Sequence, residues 1–181
     1  MILNARQNLF DFRFPKNFFF PEIEDKYKAY VRALPLPFDT VSDFMNHTIQ
    51  SIRLPQLTVG NVDQTLSARK TYWKGHLPQH LFTNQEFQVT FKLTEGYINY
   101  FIMLDQLRLF LEYQNEVEFL PFCKVRMLDY GGREYIALKL QQILLNNIGT
   151  VELSYTSAVP QQSAFTCDFK FNIYELVKEL Q

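Results

Sequence analysis

Residues 86–93 alternate strictly, with Phe87, Val89, Phe91 and Leu93 apolar and Glu86, Gln88, Thr90 and Lys92 polar. Successive side chains of a strand point to opposite faces, so this spacing predicts a strand with one face in a core and the other in water. Residues 165–173 repeat the pattern, setting Phe165, Cys167, Phe169, Phe171 and Ile173 against Thr166, Asp168, Lys170 and Asn172. Residues 122–128 and 133–140 flank Asp129-Tyr130-Gly131-Gly132, whose glycines can take the positive φ of a tight hairpin turn. Residues 151–155 alternate again. Phe10, Phe12 and Phe14 do so near the start, and residues 49–54 read as extended up to Pro55.

The period changes after Leu93. Thr94 as N-cap and Glu95 near the positive dipole end predict one long helix to about Tyr113. A helix lying on one sheet needs a single apolar stripe, yet here only Asn99, Asp105, Gln106, Arg108 and Glu112 interrupt the apolar surface. Cover on two sides follows, the second from another subunit. Residues 22–34 read as a polar helical segment ended by Pro35-Leu36-Pro37. Asp39 or Thr40 caps a short helix through Met45 and beyond, and residues 58–72 form a polar, two-stranded excursion.

These elements predict an all-β dominated fold: an antiparallel β-sandwich or partly closed barrel of about seven to eight strands, with one main flanking helix (about 95–113) and extra N-terminal segments. No repeat, linker or low-complexity tract divides the chain. Residues 1–181 read as one domain, with 1–46 as an N-terminal extension and about 56–75 as a loop or arm.

At 181 residues and 47% hydrophobic content the chain can bury a core without metals or disulfides. Its 18 Phe and 10 Tyr favour strands and leave aromatics for an interface. The formal charge of -1 and pI near 6.3 supply no global positive field for holding a polyanion, which argues against general nucleic-acid binding. The N-terminus lacks the pattern of a signal peptide and no run is long enough to span a bilayer, so a soluble protein with no membrane partner is expected.

Candidate chemistry is sparse. His76 and His80 have helical ligand spacing, but Gly75 and Pro78 argue against that helix, and no carboxylate or thiol adjoins them; His47 stands apart. Cys123 and Cys167 sit in alternating apolar runs as reduced core thiols, with Lys124 and Asp168 projecting to the opposite face of each strand. Gly131-Gly132 lacks the remainder of a phosphate loop, and Glu116 and Glu118 read as a solvated loop. No catalytic, cofactor-binding or metal-ligating set emerges, so the reading is not an enzyme. Arg69-Lys70-Thr71-Tyr72-Trp73-Lys74 mixes cations and aromatics, which fits subunit contact better than single-strand binding in a neutral protein. Trp73 is a candidate interface anchor or a rim residue over the sandwich.

The order of elements resembles the tail tube proteins of T4-like bacteriophages. Ser51-Ile52-Arg53-Leu54-Pro55 is followed by an arm ending in Arg69-Lys70-Thr71-Tyr72-Trp73, then Phe87-Gln88-Val89-Thr90-Phe91, then Gly96-Tyr97-Ile98-Asn99-Tyr100-Phe101. The hairpin and two closing strands complete the match over about residues 47–175. The resemblance implies a structural virion protein whose hexameric rings stack into a channel for DNA, assembled in the host cytoplasm. Its implied partners are itself, sheath, baseplate, tape-measure or connector proteins, and DNA as transiting cargo. The N-terminal forty-odd residues, with Pro15, Pro21, Pro35 and Pro37, depart from a minimal tube subunit and leave room for a specialised tube-like ring, a tube initiator or a head–tail connector.

From Phe91 onward the chain carries 8 Lys and Arg against 11 Asp and Glu, a sign suited to a channel that does not grip DNA. Expected subunit-interface residues are Arg69, Tyr72, Trp73 and His76 from the arm with Asn99, Gln106 and Arg108 from the helix. Two competing readings remain: a ligand-binding β-sandwich using Trp73 and exposed tyrosines, and a hydrolase whose groups converge from distant loops.

Overall fold

The computed structural model of the chain describes residues 9–55, 58–59, 62–66, 69–73, 82–83, 85–113, 118–151 and 163–177. In chain order the elements are β1 (Phe10–Arg13), α1 (Pro21–Arg32), α2 (Val41–Thr48), β2 (Ile49–Arg53), β3 (Thr58–Val59), β4 (Val62–Leu66), β5 (Arg69–Trp73), β6 (Phe82–Thr83), β7 (Glu86–Lys92), α3 (Ile98–Glu112), β8 (Cys123–Leu128), β9 (Glu134–Ile148) and β10 (Ala164–Val177). Six strands form one antiparallel sheet in the order β1-β8-β9-β10-β7-β2, while β3 pairs with β6 and β4 with β5. The all-β dominated antiparallel architecture is the one the alternation predicts. The main sheet has six strands, slightly fewer than the seven or eight expected. Of the predicted strand at 151–155, Val151 is coil and the rest lies outside the described residues.

Burial follows the pleat. In β7, Phe87, Val89 and Phe91 face the core; in β10 the same holds for Phe165, Cys167, Phe169 and Phe171. Their rings interlock, with Phe87 stacked on Phe169 at 5.1 Å and Phe91 on Phe165 at 5.1 Å. Such offset aromatic pairs add stabilisation beyond the area they bury, about 0.5–1.5 kcal/mol each. In β9 the buried set changes parity, from Leu138 and Leu140 to Ile143 and Leu145, and Gln142 between them takes φ 55. The pairing runs through this point without a slip, from Phe171↔Ile143 to Ile173↔Gln141. A left-handed residue here lets one long strand keep an apolar face inward along both halves. The hairpin turn forms as predicted: Gly132 has φ 76, and Asp129 Oδ1 accepts from the amides of Gly131 and Arg133, each at 2.8 Å.

The N-terminal segment is built into the core rather than laid over it. Phe12, Phe14, Phe18, Phe19, Ile23, Val31, Val41, Phe44 and Met45 all belong to the buried cluster, and Phe14 stacks on Phe91 at 6.1 Å. Pro21 opens α1 at a position where a missing N–H is harmless. Thr40 caps α2, its hydroxyl accepting from the Asp43 amide at 3.1 Å. The Glu24 carboxylate of α1 accepts from the first amides of α2, Val41 at 2.9 Å and Ser42 at 3.3 Å, which places an anion at the positive end of that helix. From α2, Asn46 then pairs with both backbone groups of Phe14, at 2.7 and 3.1 Å.

The main helix begins later than its pattern suggests. Glu95–Tyr97 is a 3₁₀ turn in which Gly96 (φ 71) and Tyr97 (φ 56) are both left-handed, so the α-helix starts at Ile98. Thr94 makes no capping bond to the backbone. Its amide and hydroxyl instead donate to Asn99 Oδ1 at 3.2 and 3.1 Å, and Asn99 Nδ2 donates to the Lys92 carbonyl at 2.8 Å. Asn99 thus closes the sharp corner from β7 into the helix, a role that residue spacing does not reveal.

Candidate assembly surfaces

Two faces of α3 are apolar, for different reasons. Ile102, Met103, Leu109 and Phe110 join the core, together with buried Asn99 and Gln106. On the opposite side Tyr97, Phe101, Leu104 and Leu111 are exposed, with Arg108 among them. Positions 101, 104, 108 and 111 follow a 3-4-3 spacing, which holds them in one stripe along the helix. The apolar surface read all round the helix in the sequence resolves into one stripe turned inward and one left open.

The expected interface residues separate accordingly. Asn99 and Gln106 are fully buried, and their amides bond within the chain: Gln106 Nε2 donates to the Phe18 carbonyl at 3.0 Å and Gln106 Oε1 accepts from the Phe20 amide at 3.3 Å. Arg108 is exposed on the open stripe, 3.6 Å from Glu112. Arg69, Tyr72 and Trp73 lie on β5, opposite Leu66, Asp63 and Val62 of β4; their side chains, and His76 and His80 altogether, lie outside the described residues.

The face of the sheet turned away from the core is charged, and its charges are paired across strands. Arg126 of β8 meets Asp11 of β1 at 2.9 Å and Glu134 of β9 at 3.2 Å, and Lys124 meets Glu134 at 2.8 Å. Farther along, Lys170 lies 3.5 Å from Glu86 and Lys139 lies 3.9 Å from Glu175. Asp168 accepts from Gln88 at 2.7 Å and from Asn147 at 3.0 Å. Opposite charges interleaved in this way leave no sustained field for gripping a polyanion. Phe122 and Ile173 are exposed beside Gln141 of β9, Tyr135 is exposed near the hairpin at the other end of that strand, and the Lys139 ammonium sits 4.7 Å above the Phe122 ring.

Among the described residues the sheet is open at both ends. β1 and β2 each have one partner strand in it, and β7 covers only residues 164–170 of β10, so residues 172–177 of β10 pair with β9 alone among the described residues. Unpaired strand edges invite another strand unless something covers them.

Among the described residues no cluster of His, Cys, Asp or Glu is arranged to hold a metal ion, and no helix is long and apolar enough to cross a membrane. Cys123 and Cys167 are free and buried, and burial pushes both thiols well above their ordinary range, with Asp168 adding to the effect at Cys167. Buried neutral thiols are inert as nucleophiles. His47 packs its ring 5.4 Å from Phe38, and Glu118 is exposed in a loop.

No family model and no curated protein sequence matches the chain. Solved structures do. A chain in the six-fold symmetrised baseplate of the anti-feeding prophage aligns with 99% of this chain and 100% of its own length, at 12% identity and a TM-score of 0.52. A chain of the sheath–tube complex of the extracellular contractile injection system PVC, in its extended state, covers 83% of this chain and 96% of its own at 6% identity and a TM-score of 0.48. An Hcp protein covers 81% and 83% at 13% identity and a TM-score of 0.36. The whole-length match establishes the fold alone: the chain is built like that chain of the anti-feeding prophage baseplate.

Proposed function

We propose that this chain is a structural ring subunit of a phage-tail-like tube, six copies closing around a channel through which DNA or another linear cargo passes. It works by assembly, without catalysis or cofactor. The observation that carries the reading is the unfinished surface of the described residues: a sheet open at β1 and β2, and a helix with a second apolar stripe. Ring closure covers such edges and stripes with a neighbour's. The partners are further copies of the chain and adjoining tail proteins such as sheath, baseplate, tape measure or connector, in a virion tail assembled in the host cytoplasm.

Between a ring repeated along a tube and one specialised ring, the second reading has more support. The N-terminal segment is integral to the core, and the fold likeness that spans both chains end to end is to a baseplate chain. Mass photometry across a concentration series tests the proposal. A species at six times the 21.5 kDa chain mass supports it, and a strict monomer at every concentration counts against it.

A further inference from the structure

We infer that α1 is a latch coupling the open stripe of α3 to both open edges of the sheet, so that covering the stripe steadies the edges. The inference deepens the ring reading above, by saying how one assembly surface conditions the other, and its test needs no ring. Few apolar side chains anchor α1. Of its twelve residues only Ile23 and Val31 are buried, whereas α2 buries five of eight. Polar contacts to its two neighbouring helices hold the rest.

Toward α3 the latch closes on Asp105. Its Oδ2 accepts from both Lys26 Nζ and Tyr27 Oη of α1, and the hydroxyl of Tyr113, which follows α3, donates to Glu22 at 3.1 Å. Asp105 comes four residues after Phe101 and three before Arg108, which puts it on the flank of the stripe, and the Arg108 charge adds to the field that favours its anion. The Lys26 side chain is 57% exposed and that of Asp105 18%. Water therefore screens the pair in the isolated subunit, and a neighbour on the stripe that excludes this water strengthens it.

Toward α2 the latch closes through Glu24. The first amides of a helix have no carbonyl partner within it, and Glu24 supplies the acceptor for those of Val41 and Ser42. From α2 the connection reaches both edges. Asn46 holds the amide and carbonyl of Phe14, the residue after edge strand β1, and Thr48 at the end of α2 runs directly into Ile49 of edge strand β2. One short helix thus carries both edges, and α1 fixes that helix to the flank of the stripe. Glu24 and Lys26 stand two residues apart on α1, so a helix freed from Asp105 takes the Glu24 carboxylate with it as it moves.

Native-state hydrogen exchange of the full-length chain, read residue by residue by NMR, tests the coupling. In Asp105→Asn the amides of α1 are expected to exchange faster, and with them those of α2 and Phe14, by about fivefold, the size expected of one partly exposed ion pair. Leu145 and Phe169, in the middle of β9 and β10, are expected to keep the wild-type rate. Lys26→Met breaks the same pair and serves as the second variant if Asp105→Asn fails to fold. Glu24→Gln is expected to loosen α2 by itself, and adding Asp105→Asn to speed α2 no further, because Asp105 acts on α2 only through Glu24. Four results overturn the coupling and leave the ring reading in place: α1 unchanged, α1 faster with α2 and Phe14 at the wild-type rate, an equal rise at every amide, or full additivity of the two substitutions in α2. A wild type that never associates overturns the ring reading and leaves the coupling in place.

Discussion

Gln106 of α3 donates from Nε2 to the carbonyl of Phe18, 3.0 Å away and 88 positions earlier in the chain. With its Oε1 accepting from Phe20, the side chain occupies both backbone groups of a bend that would otherwise be left unpaired. One polar residue on a helix that looked apolar all round thus fastens the N-terminal segment to the second half of the fold. Replacing Gln106 with Leu keeps the bulk and strands both partners, which costs about 1–3 kcal/mol for a buried unsatisfied group. A urea-unfolding midpoint that falls while far-UV ellipticity is unchanged is the expected result.

A second latch joins the same elements and responds to pH. Lys26 Nζ and Tyr27 Oη donate to Asp105 Oδ2 at 2.5 and 2.7 Å. Burial alone raises the Asp105 pKa, but these two donors outweigh it and hold the carboxyl below its ordinary 3.8. A depressed carboxylate stabilises the fold above its unfolded pKa and loses that contribution as pH falls through the folded value. Lys26 is raised above 10.5 by its bonds to Asp105 and Tyr27, and Tyr27 above 10.0 by burial and its bond to Asp105. Those contributions are complete below the ordinary values and disappear as pH rises through the raised ones. Thermal melts of wild type and Asp105→Asn are expected to differ by a constant amount from about pH 5 to 9, and the difference to shrink on further acidification or in strong alkali.

Gly149 follows β9, and its amide donates to the Thr166 carbonyl at 2.7 Å. A Cβ at this position would lie 2.7 Å from Thr166 Oγ1 and 3.1 Å from the Thr166 carbonyl. Gly149→Ala is therefore expected to destabilise by about 1–3 kcal/mol, the usual range for overpacking. Adding Thr166→Ala should recover part of the loss, because the hydroxyl contact can be relieved and the backbone contact cannot. Chemical denaturation of the single and double variants measures both.

Cys123 and Cys167 are expected to resist a thiol-specific disulfide reagent in the native protein and to react fully once denatured, since both are buried and burial holds each thiol protonated. Rapid native labelling of either would show that its strand opens readily. Cys123→Ser puts a hydroxyl in an apolar site and should destabilise by about 1–3 kcal/mol.

The strands were legible because alternation maps directly onto the pleat: β7 and the first half of β10 bury the residues their period marks. Where a single local period did not govern, the reading fell short. Gln142 switches the parity of β9 in mid-strand, so the pattern there suggests an end where the strand continues. The left-handed pair Gly96 and Tyr97 delays α3 by three residues, because closing a corner with Asn99 took precedence over extending the helix. Counting polar interruptions on the helix marked Asn99, Gln106 and Arg108 alike. Only long-range packing separates the two amides that face the chain's own backbone from the guanidinium that faces outward. The open stripe was visible as surplus hydrophobicity, but its spacing carried no sign of which side the core would take.

Negative-stain electron microscopy of the purified chain over a concentration series addresses the central claim most directly. Closed rings of six subunits with a central channel, single or stacked, are the predicted result. Particles that stay at the size of one subunit at the highest concentration, or open filaments with no closed ring, would contradict it.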